Sequence, residues 1–310
     1  MKASKIITLV GAIVVTAAAG WTLGSLYSPV DLAFLNSPDA YLRQARPSMT
    51  RCLFAPGIVS TAESQHSTPA VSPDGREIFW TGIENGREPF FMIYFVKFED
   101  GNWTDPQPAP FSGMVDTTNP FFSLDGTRLF YCQEGPDGDD LMAVERTETG
   151  WSEPFSMGPV FHGIHYQGSI AQDETIYFPV ETSANNRDIF RSRFVDGQYQ
   201  PRENLGPAIN SLQDDSGPFI APDESYLIIS SNRPGGYGTK DLYISFRLAD
   251  SVWTPPTNMG YIVNSGQHES WASVSPEGKY LFFTTSRDNG NTFWVSARII
   301  SLLKRRILGE

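Results

Sequence analysis

The chain has 310 residues, of which 40% are hydrophobic and 13% aromatic, enough for one large core or two small ones. Its 27 glycines and 23 prolines point to many tight turns and fall short of the level that marks disorder. A formal charge of −12 repels a phosphate backbone, so nucleic acid is not an expected partner.

Residues 1–27 begin with Lys2 and Lys5, followed by an uncharged apolar run from Ile6 to Gly24 that has Ala17, Ala18 and Ala19 near its end. This is an export pattern. Cleavage after Ala19 satisfies the small-x-small rule, while the run comes close to the about 20 residues that span a bilayer, so a signal peptide and an uncleaved anchor both stand. A membrane tether through residues 6–24 is the matching partner expectation. The first cysteine is Cys52, so no lipid anchor is indicated close behind the apolar run. With the lysines held inside, the bulk of the chain is expected to be exported, periplasmic or extracellular, and on the second reading tied to the inner membrane. Residues 28–47 read as a linker. Cys52 and Cys132 enter an oxidising compartment, where a disulfide and two free thiols are the alternatives.

From residue 48 to 300 one turn recurs: SPDG (72–75), SLDG (123–126), AQDE (171–174), APDE (221–224) and SPEG (275–278), at intervals of 51, 48, 50 and 54 residues. A period of this size marks a supersecondary unit stacked on copies of itself. Each turn follows a short apolar piece (PAV, NPFF, GSI, GPFI, ASV) and precedes a run rich in β-branched and aromatic residues (REIFWTG, TRLFYC, TIYFPV, SYLIISS, KYLFFTT). Both read as strands of a hairpin. A third strand is expected at 90–98, 140–147, 188–194, 241–248 and 292–300. A fourth is marked by Trp or Tyr ahead of Pro at 102–106, 151–154, 199–201 and 253–256.

With no helical pattern after the export segment, the fold class is all-β: a five-bladed β-propeller of four-stranded antiparallel blades. The fifth unit lacks its fourth strand. FAPGIVS (54–60) matches the end of a fourth strand and its crossover, as in NLGPAINS (204–211) and NMGYIVNS (258–265), so residues around 48–60 are expected to complete the last blade. A divergent sixth blade in residues 28–66 is the alternative. The turn itself has a structural explanation, its Asp bonding an amide two residues on and its Gly supplying positive φ.

The SPDG turns, the DIF and DLY third strands, and above all SSNRPGGYGTKDLYIS (230–245) resemble the PD40, or TolB-like (WD40-like), propeller repeats of bacterial cell-envelope proteins, over about residues 50–300. The resemblance implies a binding scaffold outside the cytoplasm and names no ligand. Some members join the propeller to OmpA-like or serine-peptidase domains, and residues after 300 hold neither; no Gly-x-Ser-x-Gly occurs.

Counting back from each turn brings His66, Thr117, His165, Asp215 and Glu269 to one level of the ring, and Gln65, Asp116, Ile164, Asp214 and His268 to the next. Imidazoles and carboxylates at corresponding places around a channel are the donor set of a divalent metal, with His66, His165 and His268 as ligands. Asp116, Asp214, Asp215 and Glu269 are the candidate carboxylates of a glycosidase. Tyr166 and Trp271, beside the inner strands, are candidate rings for stacking on a sugar or peptide. The plain reading is that these short polar groups satisfy amides at strand entrances. Asp137, Asp139 and Asp140 lack the spacing of a calcium loop. Trp103, Trp151 and Trp253 fit packing between blades, and Arg187, Arg233 and Arg287 fit ties between loops. Residues 301–310 are a basic tail, expected to cap the last blade or to meet an anionic membrane.

The expected function is a non-catalytic, exported binding module that presents a loop face to a protein or an envelope glycan, with no required cofactor. The alternative is a carbohydrate-active enzyme, a metal-assisted lyase or a glycosidase, working at the His and carboxylate ring.

Overall fold

In the first turn Ser72 Oγ donates to Asp74 Oδ1 at 2.6 Å, and the same oxygen accepts from Arg76 N at 3.1 Å. Asp125, Asp173 and Asp223 accept in the same way from Thr127 N, Thr175 N and Ser225 N at 3.0 Å each. The fourth position is left-handed in every turn, with φ of 78° at Gly75, 71° at Gly126, 65° at Glu174, 55° at Glu224 and 74° at Gly278. The turn is therefore a local device. A Cβ on Gly75 would stand 2.6 Å from Leu35 Cδ2, whereas one on Gly278 would meet nothing within 4 Å. Gly75→Ala is expected to cost about 2–3 kcal/mol and Gly278→Ala about 1 kcal/mol, measured by urea denaturation.

The computed structural model describes residues 30–61, 67–84, 90–113, 115–135, 138–164, 167–183, 186–249, 252–286 and 290–309. Five antiparallel sheets are built on the five turns. The inner strands are Ala70–Val71, Thr117–Phe122, Ser169–Ile170, Asp215–Ile220 and Glu269–Val274. The second strands are Glu77–Glu84, Arg128–Gly135, Ile176–Ser183, Tyr226–Ser231 and Tyr280–Thr285. Third strands follow at Phe90–Glu99, Gly138–Thr147, Asn186–Ser192, Asp241–Ala249 and Thr292–Ser296.

The outer edge differs from expectation. The Trp and Tyr segments (Asn102–Trp103, Gly150–Trp151, Gln198–Tyr199, Val252–Trp253) only close a short hairpin. The pairing fourth strands lie beyond them, at Gln107–Pro108, Phe155–Ser156, Glu203–Asn204 and Thr257–Asn258. Prolines between the two pieces supply no N–H to the ladder and break the strand in two.

The ring closes as expected. Cys52–Leu53 is the outer strand of blade five, with Cys52 opposite Trp294 and Leu53 opposite Phe293. Phe54 N donates to Thr292 O at 2.9 Å, and Ser296 N to Ser48 O at 2.9 Å. The crossover that follows is the one used elsewhere. Ile58 N and Val59 N both donate to Ala55 O, as Ile209 N and Asn210 N do to Gly206 O and Val263 N and Asn264 N do to Gly260 O.

Five apolar clusters fill the five gaps between blades. Phe79 and Ile93 meet Leu129 and Tyr131, Phe130 and Leu141 meet Ile176 and Phe178, and Tyr177 and Ile189 meet Leu227 and Ile229. Ile228 and Leu242 meet Leu281 and Phe283, and Phe282 and Trp294 meet Ile78 and Trp80. Trp103, Trp151 and Trp253 pack in these gaps, as expected.

Two segments take forms the sequence reading did not foresee, although the tail does pack on the last blade as expected. Residues 30–47, read as a linker, enter the gap between blades five and one, burying Phe34, Leu35, Ala40 and Tyr41 among Ile78, Val96, Phe282 and Trp294. A single helical turn, α1 (Leu32–Leu35), is capped by Asp31 Oδ1, which accepts from Phe34 N at 3.0 Å. The third strand of blade five ends at Ser296, and the basic tail is a helix, α2 (Arg298–Leu308). Ile299, Ile300 and Leu303 bury one face of α2 against blades four and five, and Gly309 terminates it in the left-handed conformation.

Both cysteines are free thiols; Cys132 is wholly buried between blades two and three, and its thiol pKa is raised by that burial.

Candidate functional site

Three of the five inner strands carry one irregular residue. The register shifts between Thr118 and Phe121, Ser216 and Phe219, and Ser270 and Ser273, and Asn119, Gly217 and Trp271 sit there with φ of 56°, 54° and 49°. Such bulges aim a residue out of the ladder. Asn119 N donates to Thr81 Oγ1 at 2.9 Å and Trp271 N to Ser230 Oγ at 3.2 Å, each reaching a hydroxyl on the preceding blade. At this level Gln167 Nε2 of blade three donates to Thr68 Oγ1 of blade one at 3.3 Å.

Toward the turns, all five inner strands surround a cavity of about 580 Å³. Its wall is apolar, formed chiefly by Pro69, Pro120, Phe121, Ile170, Phe219 and Val274, with Gln167 and Gly168 at the inner end. Val30 and the turn residues Asp125 and Glu174 lie at its mouth, where Glu174 Oε1 takes a 2.8 Å ion pair from Arg128. On the wall, the Ser273 hydroxyl is buried without a hydrogen-bond partner among the described residues.

The opposite end, where crossovers lead into the inner strands, holds the candidate ring. Asp215 and Glu269 begin their strands as aligned, and both are fully buried. Asp215 accepts from Ser211 N at 2.6 Å and Ser211 Oγ at 2.8 Å, and pairs with Arg233 at 2.7 Å. Glu269 accepts from Ser265 N at 2.9 Å, Ser265 Oγ, and Thr285 Oγ1 at 3.0 Å. In blade two, Ser112 and Thr117 make the equivalent bond. These residues brace the crossovers. Asp116 Oδ1 accepts from Phe91 N at 2.8 Å, and Asp214 Oδ1 from Arg187 N at 3.1 Å, each tying a crossover to the preceding blade's third strand.

Asp214 also binds two cations. Arg187 Nε donates to Oδ1 at 2.7 Å, and Lys240 Nζ to Oδ2 at 2.5 Å. Lys240, only 6% exposed, adds a bond to Ser216 Oγ at 2.6 Å. Burial pushes the Lys240 ammonium pKa down against the pull of Asp214. Burial also opposes the charged form of Asp214, but Lys240 and Arg187 outweigh it and hold the carboxyl below the usual range.

His268 stands beside this cluster. Its pKa is lowered, first by burial and then by Lys240. Above about pH 6.5 it is neutral folded and unfolded; below that the unfolded chain takes up a proton before the native one does, so acid destabilises the fold. Melting temperatures from pH 7.5 down to 5.5 should fall less steeply in His268→Gln than in the wild type.

His66, His165 and Tyr166 lie outside the described residues, as do Gln65, Asp137 and Arg287. Among the described residues no group of three or more His, Cys, Asp or Glu side chains is placed to hold a metal ion. Trp271 is half-buried, its Cδ1 so close to Gly217 that a Cβ there would stand 3.2 Å away. His162 joins Asp140 of a third strand, Nδ1 to Oδ1 at 2.6 Å, and not the inner ring.

No family model matches the chain, and no curated protein does. Among solved structures it is similar to a protein from Agrobacterium tumefaciens described as TolB, at 16% identity and a TM-score of 0.47, over 74% of this chain and 79% of that one. The catalytic domain of a Coprinopsis cinerea GH62 α-L-arabinofuranosidase is 10% identical, with a TM-score of 0.48 over 80% and 98%. A thermostable family-43 glycoside hydrolase is 14% identical, with a TM-score of 0.46 over 74% and 87%. Likenesses this distant carry no activity across to the chain.

The sequence reading missed Lys240 and the apolar cavity. Lys240 follows the glycine loop 235–238, and its ammonium reaches Asp214 and Ser216 at the start of the blade-four inner strand. A Cβ on Gly238 would lie 1.8 Å from Gln267 O, and one on Gly236 1.8 Å from the Asp241 carboxylate. The SNRPGGYGTKDLY stretch is thus a brace between blades four and five. The cavity had a signal in the PAV, NPFF and GPFI pieces, read only as strands of hairpins.

Proposed function

We propose that the chain is an exported, non-catalytic binding propeller that receives an uncharged, apolar segment of a partner protein in its channel from the turn side. The observation carrying this reading is the cavity of about 580 Å³, walled by Pro, Phe, Ile and Val from all five blades, within the size range of ligand sites. An envelope glycan would want rows of polar partners, which that wall does not offer. The four candidate carboxylates support the same reading, because each is committed to backbone amides, hydroxyls or cations. Lys2, Lys5 and the apolar run 6–24 support export.

Peptides selected by display on the purified protein are expected to be apolar and uncharged. They should lose about tenfold or more in affinity to Ser273→Arg, which fills the cavity, and bind Leu212→Glu on the crossover side as they bind the wild type. Selected binders indifferent to Ser273→Arg, or acidic oligosaccharides that raise the melting temperature where peptides do not, would overturn the reading in favour of a carbohydrate ligand at the crossover end.

A further inference from the structure

The two ends of the described chain both lie on the turn side of the propeller. Val30 lines the mouth of the channel cavity, Asp31 N donates to Pro73 O at 3.4 Å, and Asp31 pairs with Arg76 at 2.8 Å, all at the turn of blade one. Lys279, just after the turn of blade five, donates to Asn36 Oδ1. At the same turn Ala297 N donates to Lys279 O at 2.8 Å, so α2 also starts on the turn side. Lys304 of α2 acts on Asp223, in the turn of blade four.

The outward stripe of α2 is Arg298, Leu302, Arg305 and Arg306, positions that share one face of a helix. Leu302 is 42% exposed between those arginines. Residues 298–306 hold four basic residues and no acid, in a chain with a formal charge of −12. The turn acid of this sector, Glu277, accepts from Tyr41 OH at 2.6 Å. Five residues, 25–29, separate the apolar run 6–24 from Val30, a reach of about 20 Å even when fully extended.

We infer that the sector of the turn face formed by blade five and α2 lies on an anionic bilayer surface, with residues 6–24 in the bilayer and the Arg298, Leu302, Arg305 and Arg306 stripe as the docking element. A tether that short on the turn side keeps the crossover side away from the lipid. The arginines meet headgroup charge, and Leu302 enters the headgroup and acyl boundary. In this orientation the channel mouth beside Val30 opens toward the membrane. The inference rests on the apolar run remaining attached and not on what fills the channel.

The test uses the full chain with Cys52→Ser, carrying a fluorophore on Leu302→Cys or on Leu212→Cys, which is 94% exposed on the crossover side. The protein is reconstituted into phosphatidylglycerol-containing or pure phosphatidylcholine vesicles with a headgroup quencher. Quenching is expected at 302 in anionic vesicles and not at 212. R298Q/R305Q/R306Q should lower the docked-to-undocked ratio about a hundredfold, about fivefold for each cation. An unchanged melting temperature shows that this triple variant is folded. Equal quenching at the two sites, quenching at 302 that is the same in neutral vesicles or in the triple variant, or a full chain that stays off both kinds of vesicle would each overturn the inference. Binding of selected peptides is read separately, so failure here leaves the channel reading standing.

Discussion

Asp214→Ala is expected to lower stability by about 3–5 kcal/mol, the range for removing one partner of a buried ion pair. Its carboxylate is one-tenth exposed and answers both Arg187 and Lys240, and Lys240 is the more deeply buried of the two cations. Without Asp214 the ammonium is left with Ser216 Oγ. Lys240→Met should cost clearly less, because Arg187 still neutralises the carboxylate and the methionine keeps most of the buried stem. Urea denaturation of the two variants checks the order. Near-equal losses would mean that the cluster acts by packing and not by charge.

Trp294→Ala is the second large effect, again about 3–5 kcal/mol, from the cavity left by a fully buried indole. The ring stands 5.1 Å from Phe54, 5.2 Å from Tyr280, and 5.7 Å from Tyr41 and from Phe282, between centroids. Two of those partners belong to residues 30–60, so the loss falls on the closure of the ring. Limited proteolysis should cut between residues 44 and 60 sooner in this variant. Phe178→Ala, equally buried but between blades two and three, should lose comparable stability and leave that segment protected.

The fold was legible wherever its chemistry is local. In four of the five turns an Asp reaches an amide two residues on and in all five the fourth position is left-handed, so the turns align by themselves and fix the first three strands of each blade. Closure was legible because FAPGIVS repeats a crossover whose bonds recur in NLGPAINS and NMGYIVNS. Helix α2 was not, since Ile299 and Ile300 continue a β-branched run out of the third strand; the helical spacing of 299, 300, 303 and 307 was the signal available. At the candidate ring, alignment found the level of Asp215 and Glu269, and the plain reading gave their role as amide acceptors but not their partners. That role depends on Ser211, Arg233 and Ser265, which only the crossovers bring alongside. The cavity is a gap between five strands, and no one of them records its width.

The outer strand of blade five comes from the beginning of the chain and pairs with residues that follow some 240 positions later. A polypeptide made from its amino end must therefore hold Cys52 and Leu53 unpaired until Phe293 and Trp294 arrive. Joining ends so far apart places circularisation last and makes it slow. Until then the Ile78 and Trp80 side of blade one, which Phe282 and Trp294 cover in the finished ring, is a sticky surface for chaperones or for a neighbouring copy.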